Sequence, residues 1–110
     1  MKNPLHKTAK RPSPKAGEAF SIQKVVEKIT KKTKAMIIVH QFGHSAHMDE
    51  LMKIANDYNL RIIEDNAESL GGRYKGKLLG TIGDIGAFSF FANKIITTGE
   101  GGAIITNDEK

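Results

Sequence analysis

Lys94 lies in FSFFANKIITTGEGG (88–102), between an apolar strand-like run from Ala87 to Phe91 and a turn of small residues from Thr97 to Gly102. A strand can fix a lysine there while glycines let another group come close. A lysine that forms a covalent imine with a carbonyl cofactor needs both. The plain alternative is a solvated loop lysine, since lysines are seldom buried. The neighbouring residues must decide.

Asp65 follows the strand-like run Leu60–Ile63 and the acidic Glu64. A carboxylate at the end of a buried strand is costly unless it is paired or hydrogen-bonded. It either caps the turn at Asn66 or the start of a short helix, or it faces a protonated heterocyclic nitrogen. A pyridoxal phosphate site needs the second arrangement, a lysine for the aldehyde and an aspartate for the pyridinium nitrogen. Ser89, five positions before Lys94, offers a hydroxyl to a phosphate oxygen or simply fills a strand position. Glu68 falls on the same side as Asp65 if a helical turn follows, and is otherwise an exposed residue.

His40, His44 and His47 have the spacing of one helical face, as a metal site would need. His40 follows a strand-like run and Gly43 interrupts the segment, so no metal is expected. Residues 97–102 do not form GxGxxG, and no Walker motif occurs.

The elements that would hold these residues follow from periodicity. Ile22, Val25, Val26 and Ile29 place one apolar stripe on a helix over Ser21–Lys32, with Ser21 as a candidate N-cap. Ala35–Val39 reads as a strand buried on both faces, as in a parallel sheet. Met48–Tyr58 is a second amphipathic helix. Its candidate buried residues are Leu51, Met52, Ile54, Ala55 and Tyr58, and Asn59 closes it. Leu60–Ile63 is a second strand, which gives a βαβ unit whose ligands bind beyond the carboxyl ends of the strands, where His40 and Asp65 fall. A glycine-rich stretch follows, with a tight hairpin at 73–77. Ile85–Phe91 and Ala103–Thr106 are the last strands.

With 110 residues there is room for one small domain. No cysteine is present, so disulfides and thiolate metal sites are excluded. No apolar run approaches the ~20 residues of a membrane span, and the basic N-terminus has no apolar core behind it, which points to the cytoplasm. The net charge of +5 is uneven: residues 1–34 carry ten Lys/Arg against two Glu, while residues 35–110 carry seven Lys/Arg against ten Asp/Glu. Residues 1–19 hold all three prolines and few large apolar side chains, and read as a disordered basic tail ahead of a domain at 20–110. A basic tail can bind nucleic acid, but the interleaved aromatics that would sharpen that reading are missing.

VHQFGHSAHMDEL (39–51) and IIEDNAESLGGRYKGKLLGTIGDIGAFSFFANKIITTGEGGAIITND (62–108) together resemble the DegT/DnrJ/EryC1/StrS family of sugar aminotransferases. The resemblance runs continuously over about residues 21–110. It implies an α/β fold: part of the large cofactor-binding domain of the fold-type I pyridoxal phosphate transferases, with βαβ units and a mostly parallel but incomplete sheet. It assigns Lys94 as the Schiff-base lysine and Asp65 as partner of the pyridine nitrogen. Glu68 would pack beside the cofactor ring, and Ser89 would bind its phosphate.

The family transfers an amino group, usually from glutamate, to a keto group on a nucleotide-linked sugar, for surface polysaccharides or antibiotic sugars. Its members build each site at a dimer interface. NKIITTGEGG is similar to branches acting on 4-keto-6-deoxy hexoses, such as perosamine synthases. Members run to several hundred residues, and the resemblance therefore implies an internal fragment that is not competent alone. The rival readings are a non-catalytic remnant that associates with a full-length homologue, and a nucleic-acid-binding module built on the basic N-terminal third.

Overall fold

The structure, a computed structural model, describes residues 21–109. The tail expected at 1–19 lies outside the described residues. Four strands form one sheet in the order β1 (Ala35–Val39), β2 (Arg61–Asp65), β5 (Ile85–Ser89), β6 (Gly102–Thr106). The β1–β2 and β2–β5 pairs are parallel, and β6 runs antiparallel to β5. A short hairpin, β3 (Arg73–Tyr74) and β4 (Lys77–Leu78), stands apart from this sheet. Its turn puts Lys75 and Gly76 at φ of 48° and 84°, the left-handed pair that a two-residue hairpin turn requires.

Two helices accompany the sheet, α1 (Ile22–Val26) and α2 (Met48–Tyr58). The helix expected from Ser21 to Lys32 is shorter than its apolar stripe. Its continuation is broken by two threonines: the Thr33 hydroxyl accepts the Thr30 N–H at 2.9 Å, and the Thr30 hydroxyl accepts the Lys32 N–H at 3.2 Å. Such side-chain bonds compete with the helical ladder. Ser21 makes no capping bond to the helix, because its hydroxyl donates to the Gln23 side chain instead. Ile22, Val25 and Ile29 still pack against the core.

The α2 helix has the expected bounds and ends on Asn59 in the left-handed conformation, φ 52°. Met48, Leu51, Ile54 and Ala55 are buried along it, whereas Tyr58 is exposed. The core unites Leu51 and Ala55 of α2 with Ile38 of β1, Ile62 of β2 and Leu60.

Strand register sorts every sheet residue onto one of two faces. Ile38, Ile62 and Glu64 belong to the face that α2 covers. Ile37, Val39, Ile63, Asp65, Ile85, Ala87, Ser89 and Ile104 belong to the other. No described helix covers that second face, and Ile37 and Ile104 are 69% and 74% exposed. β1 is thus buried on one face only, contrary to the two-sided burial its apolar run suggests. The difference has a measurable consequence. Ile62→Ala is expected to cost about 2–5 kcal/mol, and Ile104→Thr no more than about 0.5 kcal/mol. Urea unfolding of the two variants checks this, and similar losses would contradict the assignment of faces.

Candidate active site

Asp65, the last residue of β2, is the register partner of Ala87 in the middle of β5, and Ser89 two residues further on ends β5. All three share the open face. Their position beyond parallel strand ends is where open α/β sheets bind ligands. Ala87 is small, and Gly102 opposes Ser89 across the β5–β6 pair. The floor between the Asp65 carboxylate and the Ser89 hydroxyl is therefore low. A flat ring bearing a nitrogen at one end and a phosphate at the other matches this donor set.

Asp65 is half-buried, and its Oδ1 accepts the Ala67 N–H at 3.0 Å. The turn-capping role weighed for it is therefore real, and it occupies one oxygen. The Ser89 hydroxyl accepts the Phe91 N–H at 3.3 Å and remains a donor. Glu68 is exposed in a turn rather than on a helix, so the helical argument for pairing it with Asp65 does not apply. Lys94 follows β5 in a bend. Its backbone N–H bonds the Phe91 carbonyl at 3.0 Å, and its side chain is partly buried. Beyond it, the Thr97 hydroxyl and the Thr98 N–H both bond the Phe90 carbonyl, at 2.9 and 3.0 Å, folding 97–102 back on the strand end. Gly99, at φ 83°, has open space where a side chain would stand.

His40 takes a different part from the ligand position its place at a strand end suggested. It is fully buried. Its Nδ1 accepts the Ala46 N–H at 3.2 Å, which leaves Nε2 as the protonated nitrogen, donating to Glu64 Oε2 at 3.0 Å. Among the described residues no His/Cys/Asp/Glu group could hold a metal ion.

Glu64 is the residue that periodicity alone did not single out. It is also fully buried, and it takes three more hydrogen bonds: Gly80 N–H to Oε2 at 2.8 Å, then Ile82 and Gly83 N–H to Oε1 at 2.7 and 2.6 Å. Burial pushes its carboxyl pKa up, but the His40 bond and the three backbone donors outweigh that and hold it below the ordinary range. A second carboxylate ties the same loop to β2: Asp84 accepts the Ile62 N–H and the Arg61 guanidinium, each at 2.7 Å. The Ile62 N–H lowers its pKa most; burial opposes this, and the Arg61 guanidinium adds to the lowering, so the carboxyl stands below its ordinary range.

A carboxyl with a lower pKa folded than unfolded stabilises the fold above its unfolded value, and that contribution fades as pH falls through the folded value. Stability from Glu64 and Asp84 is therefore complete above about pH 5 and declines below it. Asp84→Asn is expected to flatten this acid limb in thermal unfolding. An unchanged limb would contradict the role given to Asp84.

The DegT/DnrJ/EryC1/StrS aminotransferase family profile matches residues 17–110. The chain is 53% identical over 90 residues to a GDP-perosamine synthase of Escherichia coli O157:H7, covering 82% of this chain and 25% of that protein. It is 54% identical over 76 residues to the putative pyridoxal phosphate-dependent aminotransferase EpsN of Bacillus subtilis, covering 69% of this chain and 20% of that protein. Among solved structures, an aminotransferase from Psychrobacter cryohalolentis superposes with a TM-score of 0.77 at 44% identity, over 81% of this chain and 23% of that one. An E. coli GDP-4-keto-6-deoxy-D-mannose-3-dehydratase with bound hydrated PLP gives a TM-score of 0.73 at 39% identity, over the same shares. The chain spans about a quarter of the length of these relatives.

Proposed function

The chain belongs to the DegT/DnrJ/EryC1/StrS aminotransferase family, and on that premise we propose that it carries the cofactor lysine and ring-nitrogen partner of a pyridoxal phosphate-dependent sugar aminotransferase. The observation that carries the reading is the shared open face. Asp65 and Ser89 stand on it at the carboxyl ends of parallel strands, and Lys94 follows directly on β5.

Pyridoxal phosphate, when bound, supplies the electron sink that amino transfer requires. Lys94 would hold it through its amine and, once released, would itself be the general base that moves a proton between the substrate carbon and the cofactor carbon. The free oxygen of Asp65 would keep the ring nitrogen protonated. The Ser89 hydroxyl would donate to the phosphate, and Glu68 would stand beside the ring. The acceptor is a keto group on a nucleotide-linked sugar, of the 4-keto-6-deoxy class, and the donor is glutamate. Several relatives are named GDP-perosamine synthases, which favours a GDP-linked sugar.

Activity belongs to a polypeptide more than three times this length, the size of the relatives; in this reading it assembles as a dimer in the cytoplasm, and the 110 residues alone are not competent. No helix among the described residues is long and apolar enough to cross a membrane. Mixing the chain with pyridoxal phosphate is expected to give a visible absorbance band that Lys94→Ala removes and Lys53→Ala keeps. A band insensitive to Lys94→Ala would refute the assignment.

A further inference from the structure

Three fully buried polar side chains, His40, Glu64 and Ser69, form a layer on the covered side of the sheet, beneath the face that carries the candidate site. Glu64 and Asp65 are neighbours on β2 and point to opposite faces. The Glu64 carboxylate gathers the backbone of Gly80, Ile82 and Gly83, and this loop leads directly into β5, toward Ser89 and Lys94. Gly86 shows how tight that junction is: a Cβ there would stand 2.2 Å from the Gly80 carbonyl oxygen. On the other side, the Ser69 hydroxyl donates to the His40 carbonyl at 2.8 Å and accepts the Gly43 N–H at 3.3 Å. Those bonds anchor the far end of the turn from Asn66 to Ser69, which carries Glu68.

We infer that His40, Glu64 and Ser69 are positioning residues for the cofactor site, with Glu64 at their centre. None of them touches the open face. Glu64 sets the height at which β5 enters the sheet, and hence where Ser89 and Lys94 stand relative to Asp65. Ser69, through the His40 carbonyl, sets the turn that follows Asp65. The inference rests on the reading of Lys94 as the cofactor lysine.

Two measurements on the full chain test it. Hydrogen exchange of the unaltered protein should show the Gly80, Ile82 and Gly83 amides opening together with those of β5. Free exchange at those three amides, with β5 protected, would overturn the inference. The second measurement is the share of pyridoxyl label on Lys94 after borohydride reduction, compared with the other lysines.

Glu64→Gln places an amide N–H₂ against donors. It is expected to cut the Lys94 share about tenfold, as a small misplacement of a reacting group does, while α2 amides stay protected. Ser69→Ala leaves the His40–Glu64 pair intact and is expected to cut it about threefold. An unchanged share in a folded Glu64→Gln protein overturns the inference. If that variant does not fold, an unchanged share in Ser69→Ala overturns it. No preference for Lys94 in the unaltered chain would instead defeat the cofactor assignment itself.

Discussion

Glu64→Ala is expected to destabilise the chain by about 3–5 kcal/mol, because it takes one shared carboxylate acceptor away from several buried or half-buried donors. Four donors lose their acceptor at once: the His40 Nε2–H and the N–H groups of Gly80, Ile82 and Gly83. Each buried donor left unsatisfied costs about 1–3 kcal/mol, and relaxation of the loop toward solvent recovers part of it. Domains of this size are stable by only about 5–15 kcal/mol in all. A sheet with one uncovered face starts from the low end, so the variant is expected to be largely unfolded near room temperature.

Asp65→Ala, one residue away, makes a sharp contrast. It removes one hydrogen bond, to the Ala67 N–H, and is expected to cost no more than about 1 kcal/mol. Circular dichroism and urea titration of the two variants read the difference directly. Equal losses would show that the Glu64 network does not hold the sheet.

Lys94→Ala is expected to leave stability nearly unchanged and to abolish function. The lysine is partly exposed, and the bond it contributes to the local fold is made by its backbone N–H. In the longer enzyme proposed above, turnover of the proposed GDP-linked 4-keto-6-deoxy sugar with glutamate should fall by at least the 10²–10⁴-fold typical of losing a general acid–base group, roughly three decades. Losing the covalent tether adds to that. Lys94→Arg should not restore it, since a guanidinium stays protonated and cannot act as the attacking amine. Full activity in either variant would exclude Lys94 from the chemistry.

Much of this was legible in the sequence. The α2 periodicity fixed that helix to its terminal residue, and Asn59 closes it as its type suggests. The parallel pairing of 35–39 with 61–65 follows from two short apolar runs flanking a helix. What the sequence could not say is which face of each strand is covered. AMIIV looks the same whether a second layer packs on it or not, and Ile37 and Val39 are exposed here for want of that layer.

His40 misled because position at a strand end indicates a ligand site only if the side chain points outward, and it is turned inward onto Glu64. A signal for Glu64 was nevertheless present. Alternation along IIED puts Glu64 on the same face as the core residue Ile62, and a carboxylate facing a core must find donors. Glycines at 80, 83 and 86 supply the close backbone approach that brings those donors in.

Borohydride trapping reads out whether Lys94 is the cofactor lysine. The purified chain is mixed with pyridoxal phosphate, reduced and digested, and the pyridoxyl mass is located by peptide mapping. Label on Lys94 is expected well above that on exposed lysines such as Lys53 and Lys75. Label spread evenly over the surface lysines, with no preference for Lys94, would contradict it.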